Sequence, residues 1–313
     1  MLRWGIIGAG AAAGVMAPAM REAGHDLAVV GSRSLTRAQS FAARHGVRRA
    51  RGGYDEVLTA RDVEAVYIAL HPAGHEEWAV AALDAGKHVL CERPLSVDAG
   101  AAARIAAAGV ANGCMVMEAQ PHRFHPRTQA MIELVDGGEI GQVRLAHAAL
   151  SHRMRDLDSF RADPAAGGGA LLDVGVQAVA AVRWLLAEEP DAVQALVRRW
   201  RTGVDGATVA LLSFPSGAAA SVAVSFEAAA AEVLEVAGTY GSVRAGAPFT
   251  AGADEEVALE RDGRVVGTWR ADPRVRMLSA FAHAAAGRGE APLPVEDAVA
   301  TASVLDAVRA AAG

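Results

Sequence analysis

Lysine is nearly missing from this sequence. Of 30 basic residues in a 313-residue chain, only Lys87 is a lysine. Chemistry that needs an amine of tunable pKa therefore has one residue to draw on, because arginine stays protonated across the accessible pH range. Cysteine is scarce as well. Cys91 and Cys114 are too few for a disulfide scaffold, and both border apolar runs, so they read as buried thiols of a reducing cytosol. No run of basic residues occurs and the formal net charge is −6, which disfavours nucleic-acid and anionic-membrane partners. Arg or Asp interrupts the Ala-rich stretches before they reach the ~18–20 residues of a membrane helix. The chain opens on an apolar strand without a basic leader or cleavage signal, so the expected location is cytoplasmic. His122 and His125 lack a third partner at metal-binding spacing, so no metal is expected. No nucleophile elbow is present either.

What the chain does have is apolar content, 52% of residues, enough for about two domains. Apolar runs at Trp4–Gly8, Leu27–Val30, Ala65–Leu70, His88–Cys91 and Met115–Met117 alternate with helical stretches. Those helices span about Ala11–Glu22, Leu35–His45, His75–Ala85 and Asp98–Ala111. Strand–helix alternation predicts a doubly wound α/β parallel sheet over residues 1–120. The rhythm then changes. A helix at Pro126–Val135, a strand at Val143–Ser151 and a long helix at Leu171–Ala187 precede a series of strands. The strands are Ala192–Arg199, Ala207–Phe214, Ala219–Phe226, Glu232–Ala237 and Glu256–Trp269, with turn chemistry at Pro215-Ser216-Gly217 and Asp262-Gly263. Residues 121–313 are thus expected to be an α+β domain with an open, mostly antiparallel sheet. Its last two helices, Val275–Ala286 and Val295–Ala311, are free to pack back on the first domain.

Gly8-Ala9-Gly10-Ala11-Ala12-Ala13 joins the first strand to the first helix, the context of a dinucleotide phosphate loop. Gly8 suits the tight turn, Gly10 the close approach of a pyrophosphate, and Ala11 and Ala12 the helix N-terminus. The end of the second strand selects the cofactor. NAD enzymes place a carboxylate there for the ribose 2′-hydroxyl, whereas this sequence offers Ser32, Arg33 and Arg37. Cationic donors suit a 2′-phosphate, which favours NADP(H) over NAD(H); two solvated arginines are the plainer alternative.

Four further segments are specific in combination. They are His71-Pro72-Ala73-Gly74-His75, Glu92-Arg93-Pro94, Glu118-Ala119-Gln120-Pro121-His122-Arg123-Phe124-His125-Pro126, and Gly167-Gly168-Gly169 followed by Asp173. Together they resemble the Gfo/Idh/MocA oxidoreductases, in the flavour of glucose–fructose oxidoreductase and of xylose and dihydrodiol dehydrogenases. The resemblance spans essentially the whole chain. It implies a Rossmann domain, then a substrate domain whose open sheet packs on another subunit in a homodimer or homotetramer. It also implies hydride transfer between a nicotinamide and a carbon of a sugar, a sugar derivative or a related hydroxy or keto compound. Cofactor-side positions under the resemblance are Leu70, His71, Pro72, His75, Glu92, Arg93 and Gln120.

Two positions depart from the family pattern. The lysine of its Glu-Lys-Pro motif is Arg93, and the Tyr or His on the Gly-Gly-Gly helix, four residues after Asp173, is Gln177. Neither replacement moves protons readily. Lys87 cannot stand in, since six residues of strand place it roughly 20 Å away. Tyr54, Tyr67 and Tyr240 map to the Rossmann body and the late sheet. If catalysis survives, Arg93 holds the substrate oxygen while Asp173, His122 or His152 supplies the proton and Gln177 orients substrate. Arg93, Arg123 and Arg161, with Arg153 or Arg155 as further candidates, would make a cationic pocket suited to a phosphorylated, carboxylated or nucleotide-linked ligand, unless Asp156, Asp158 and Asp163 neutralise it. The competing reading is an NADP(H)-binding protein that has lost the reaction and acts as a sensor or partner subunit. A cofactor-free sugar-binding module conflicts with the phosphate loop.

Overall fold

Residues 1–312 are described by a computed structural model and form two compact units. The first holds Met1–Pro121 with Arg274–Val299; the second holds His122–Pro273 and the chain from Ala300.

The first unit runs β1 (Arg3–Ile7), α1 (Ala11–Glu22), β2 (Asp26–Gly31), α2 (Leu35–His45), β3 (Arg49–Arg51), α3 (Asp55–Leu58), β4 (Ala65–Ile68), α4 (His75–Asp84), β5 (His88–Cys91), α5 (Ala99–Ala111) and β6 (Val116–Glu118). Its six strands are all parallel, in the order β3-β2-β1-β4-β5-β6. The order reverses between β1 and β4, and the crevice beyond the strand ends at such a reversal is where doubly wound sheets take their ligands. β1 and β4 are apolar almost throughout because both faces of the sheet are covered; Trp4, Ile6, Ile7, Tyr67 and Ile68 have no exposed surface. β3 was absent from the apolar runs for a plain reason: it is an edge strand reading Arg-Ala-Arg. Asp98 caps α5 by accepting the Ala101 N–H at 2.7 Å, so the helix begins one residue later than expected.

In the second unit α6 (Pro126–Asp136) and β7 (Val143–Ser151) precede a single π-helical turn, Leu171–Gly175, that runs into α7 (Val176–Leu186). The long helix expected at Leu171–Ala187 is therefore two windings in series. β8 (Ala192–Arg199), β9 (Asp205–Ser213), β10 (Ala219–Ser225), β11 (Ala231–Gly238), β12 (Ser242–Ala245), β13 (Val257–Arg261) and β14 (Arg264–Trp269) follow, then α8 (Pro273–Ala285) and α9 (Val295–Ala311). The sheet order is β14-β13-β12-β11-β7-β10-β9-β8, antiparallel at every pair except β7–β10. The span Glu256–Trp269 is two strands, because Asp262 and Gly263 both take positive φ, 51° and 72°, and close a hairpin.

One face of this sheet is core. Ala148, Leu150, Leu212, Val222, Val224, Leu234 and Val236 bury against Ala178, Val179, Ala181 and Val182 of α7. The segment Pro164–Leu186, though interrupted by Asp173 and Arg183, is long and apolar enough to cross a membrane by length and composition, but 78% of its most apolar window is buried inside the structure. It is a core segment. The other face of the sheet alternates into solvent, with Leu145, Leu196, Val209 and Leu211 exposed. α8 belongs with the first unit, and its Phe281 packs on Trp4 with ring centroids 5.1 Å apart.

Candidate active site

Gly8 leaves β1 with φ +102°, and a Cβ there would overlap the carbonyl of Ala69 at the end of β4. Only glycine fits this turn. Gly10 begins α1, and a Cβ on it would meet nothing within 4 Å. Gly10, Ala11 and Ala12 are exposed, no side chain caps the helix, and its first turn has no acid. The amides and dipole of this helix start are thus left for an external anion. At the end of β2, Ser32 is buried, and its Oγ accepts the Ser34 N–H at 3.3 Å. Arg33 and Arg37 are exposed and take part in no ion pair among the described residues. No carboxylate occupies the strand tip.

The ends of β4, β5 and β6 form the second part of this unit's site. The His75 ring is buried, with Nδ1 2.8 Å from the Pro94 carbonyl and Nε2 3.1 Å from that of Leu70. Burial lowers its pKa against the pull of these two carbonyls, and in the neutral form the ring donates to only one of them. His75, expected from the sequence among the cofactor contacts, thus lies between the Leu70–Pro72 loop and the Arg93–Pro94 turn, with one ring nitrogen facing a backbone carbonyl of each. Tyr67, assigned from sequence to the Rossmann body alone, donates its phenolic hydrogen to Glu92, whose other oxygen lies 3.5 Å from Arg93 Nη1. Burial, then the Glu92 carboxylate, push the Tyr67 pKa well up, so the phenol remains a donor. Glu118 accepts the Leu95 N–H at 2.6 Å and the Gln120 amide at 2.7 Å. Burial raises its pKa to about 7 against the pull of those donors. Among the described residues, three buried polar atoms at these strand ends have no hydrogen-bond partner: His71 Nδ1, Arg93 Nε and Gln120 Oε1. Unsatisfied buried groups at the sheet's C-terminal edge suit a polar ligand. Lys87 is excluded, since its Nζ donates to the carbonyls of Ala60 and Val63. The thiols differ: Cys91 is buried and Cys114 only partly so.

In the second unit Asp173, on the π-helical turn, joins two expected residues. Its Oδ1 lies 2.9 Å from Arg161 Nε and its Oδ2 3.2 Å from His152 Nε2. His152 directly follows β7, hydrogen-bonds through its backbone to Ser225, and tilts its ring against Phe226 at 5.1 Å. With Nε2 on the carboxylate, Nδ1 is the nitrogen available to a reacting group. A carboxylate that orients an imidazole is a recurrent acid–base arrangement. The guanidinium of Arg161 also lies over Phe160, so the expected neutralisation by Asp156, Asp158 or Asp163 is replaced by Asp173. Asp156 and Asp163 instead cap the N–H groups of Asp158 and Ala165. Arg153 and Arg155 are exposed. Gln177 and His122 form a separate buried pair, 3.5 Å apart, with the His122 ring edge-on to Phe249. Arg123 stacks over Trp184 at 5.3 Å. Among the described residues, no three His, Cys, Asp or Glu side chains converge where a metal would sit.

Comparison with known proteins fits both units. Residues 2–120 match the oxidoreductase family with an NAD-binding Rossmann fold, and residues 128–244 match the GFO/IDH/MocA C-terminal domain. The chain is 36% identical to an uncharacterized oxidoreductase of Rhizobium meliloti, covering 100% of this chain and 97% of the relative. It is also 36% identical to a D-xylose 1-dehydrogenase (NADP(+)) of Haloferax volcanii, covering 98% and 96%. A 3-ketoreductase from Actinomadura kijaniata, crystallised with NADP and TDP-benzene, superposes with a TM-score of 0.91 at 31% identity, over 99% of this chain and 97% of that one. The fold, the glycine loop and these full-length relatives agree, and the chain belongs to the GFO/IDH/MocA family of oxidoreductases.

Proposed function

We propose that the protein is an NADP(H)-dependent oxidoreductase acting on a CH–OH or C=O carbon of a sugar, sugar derivative or related small molecule. The observation that carries the cofactor assignment is the pair of exposed, unpaired arginines, Arg33 and Arg37, at a strand tip without an acid. The open helix start at Gly10–Ala12 receives the pyrophosphate. His71, Arg93 and Gln120, with their unsatisfied atoms, receive the polar parts of the nicotinamide end. The relatives named for NADP and for sugar chemistry support the same reading.

The bound cofactor supplies a hydride donor or acceptor. This chain's residues handle charge and proton. Arg93 is a fixed cation, steadied by Glu92 and through it by Tyr67, and it stabilises the oxygen where negative charge develops. Proton handling falls to the second unit, where Asp173 orients His152 and Arg161 keeps the carboxylate compensated. Gln177, fully amidic and buried, orients but does not titrate. Arg153 and Arg155, exposed just after His152, would suit an anionic ligand.

A second reading is favoured by one specific observation: both family proton-handling positions are replaced, by Arg93 and Gln177. Under it the protein binds NADP(H) without turnover. Cofactor titration followed by turnover against a panel of keto-sugars and dicarbonyls separates the two. NADPH binding with turnover supports the enzyme; binding without turnover across the panel supports the sensor.

A further inference from the structure

A carboxylate with no part in the scheme above holds the start of the turn that carries Asp173. Asp205 opens β9, 34 residues from that turn, and its Oδ2 accepts the backbone N–H of Leu171 at 2.6 Å. The Thr208 hydroxyl donates to the same oxygen at 3.0 Å. Leu171 is the first residue of the π-helical turn, and the turn has no side-chain cap from its own flank. Its N–H is one of the orphan donors of a helix start, and the satisfying partner comes from a different element.

Gly169 makes the arrangement possible. Its φ is +118°, and a Cβ on it would overlap Asp205 Oδ1. The third glycine of Gly167-Gly168-Gly169 therefore leaves room for this carboxylate. Gly169 also accepts the Asp173 N–H at 3.1 Å, so the segment from Gly169 to Asp173 is held at both ends. A π-helical turn is a rare winding that accompanies functional sites, because it displaces side chains from their α-helical stations. Here the displaced segment bears the carboxylate that joins His152 to Arg161. Burial raises the Asp205 pKa against the pull of its two donors, a cost consistent with a group kept for geometry.

We propose that Asp205 is a positioning residue: with Gly169 it fixes the π-helical turn and so aims Asp173 at His152. This rests on the reading of Asp173 and His152 as the proton-handling pair. Thr208 serves in turn by holding the Asp205 carboxylate.

The test begins with the protein free of cofactor. In Asp205→Ala, exchange of the Leu171 amide should rise and the ring resonances of His152 should move. Asp205→Asn should keep both near the parent, since its amide oxygen, set where Oδ2 stands, still accepts from both Leu171 and Thr208. Should Asp205→Ala fail to fold, Gly169→Ala drives a methyl against the same carboxylate and carries the same expectation. With NADPH and a turned-over carbonyl, Asp205→Ala should lose about 10–100-fold in kcat, the scale of a small misplacement of a reacting group, with KM for NADPH unchanged. Asp205→Asn should restore most of it. Parent values for Leu171 exchange and the His152 ring in Asp205→Ala, or in Gly169→Ala where that variant stands in, overturn the proposal. Shifted apo signatures beside a parent that reduces no carbonyl leave Asp205 as the positioning residue and remove the oxidoreductase reading instead.

Discussion

Glu118 accepts the backbone N–H of Leu95 at 2.6 Å, and so ties the end of β6 to the turn that presents Arg93. The pair has a consequence for stability. Burial raises the Glu118 carboxyl from 4.5 to about 7. The folded state then binds a proton more tightly than the unfolded chain. That contribution is fully present below the unfolded value and is lost as pH rises through the folded one. Denaturant unfolding should show stability falling between pH 5 and 8, by up to about 3 kcal/mol from this group. Glu118→Gln should flatten that slope, because its amide accepts from Leu95 without acquiring charge. A parent-like slope in Glu118→Gln contradicts the assignment.

Cofactor choice makes a second expectation. Arg33 is exposed and unpaired, so its removal should not disturb the fold. Losing one charge-assisted phosphate contact costs roughly 1.5–3 kcal/mol, or about tenfold and more in affinity. Arg33→Ala should weaken NADPH by that factor and leave NADH little changed. Equal titration curves for the two cofactors in the parent protein would refute the NADP(H) reading.

Much of this was legible beforehand, for identifiable reasons. β1, β4 and β5 read correctly because a buried parallel strand is apolar at nearly every position. β3 did not, since its three residues carry two arginines, and β12 did not, since Ser-Val-Arg-Ala is too short to show a period. The glycine loop was readable because Gly8 needs a backbone that other residues avoid. Tyr67 is on β4 and Glu92 directly follows β5, so only the register of β4 on β5 brings them together. His152 and Asp173 are 21 residues apart, and no linear spacing announces that pair. Asp205 was invisible for the same reason.

The exposed sheet face supplies a third expectation. Across it, the register sets Leu196 opposite Val209 and Leu211 opposite Ser221, which in turn faces His147. Leu196 is 79% exposed and Leu211 55%, an apolar surface in search of cover. We predict a dimer or tetramer in which a second copy covers this face. Light scattering should show it, and the double variant Leu196→Asp with Leu211→Asp should be monomeric with its secondary structure intact. A monomeric parent at micromolar concentration refutes this.

Proton supply makes a fourth. General acid–base groups contribute about 10²–10⁴-fold, so His152→Ala should lose that much kcat while NADPH binding holds. Added imidazole should restore part of the rate, an effect that lost packing would not give. A parent-like rate in His152→Ala removes it from the mechanism and returns the role to Asp173 or His122.

Arg93 bears on the central claim most directly. Single-turnover oxidation of NADPH, followed by its own absorbance against keto-sugars and dicarbonyls, should be abolished in Arg93→Ala. It should be retained or raised in Arg93→Lys, which restores the family's residue at an unchanged fold. Arg93→Ala turning over as fast as the parent would contradict the account, and so would a parent that binds NADPH tightly and oxidises it with no carbonyl in the panel.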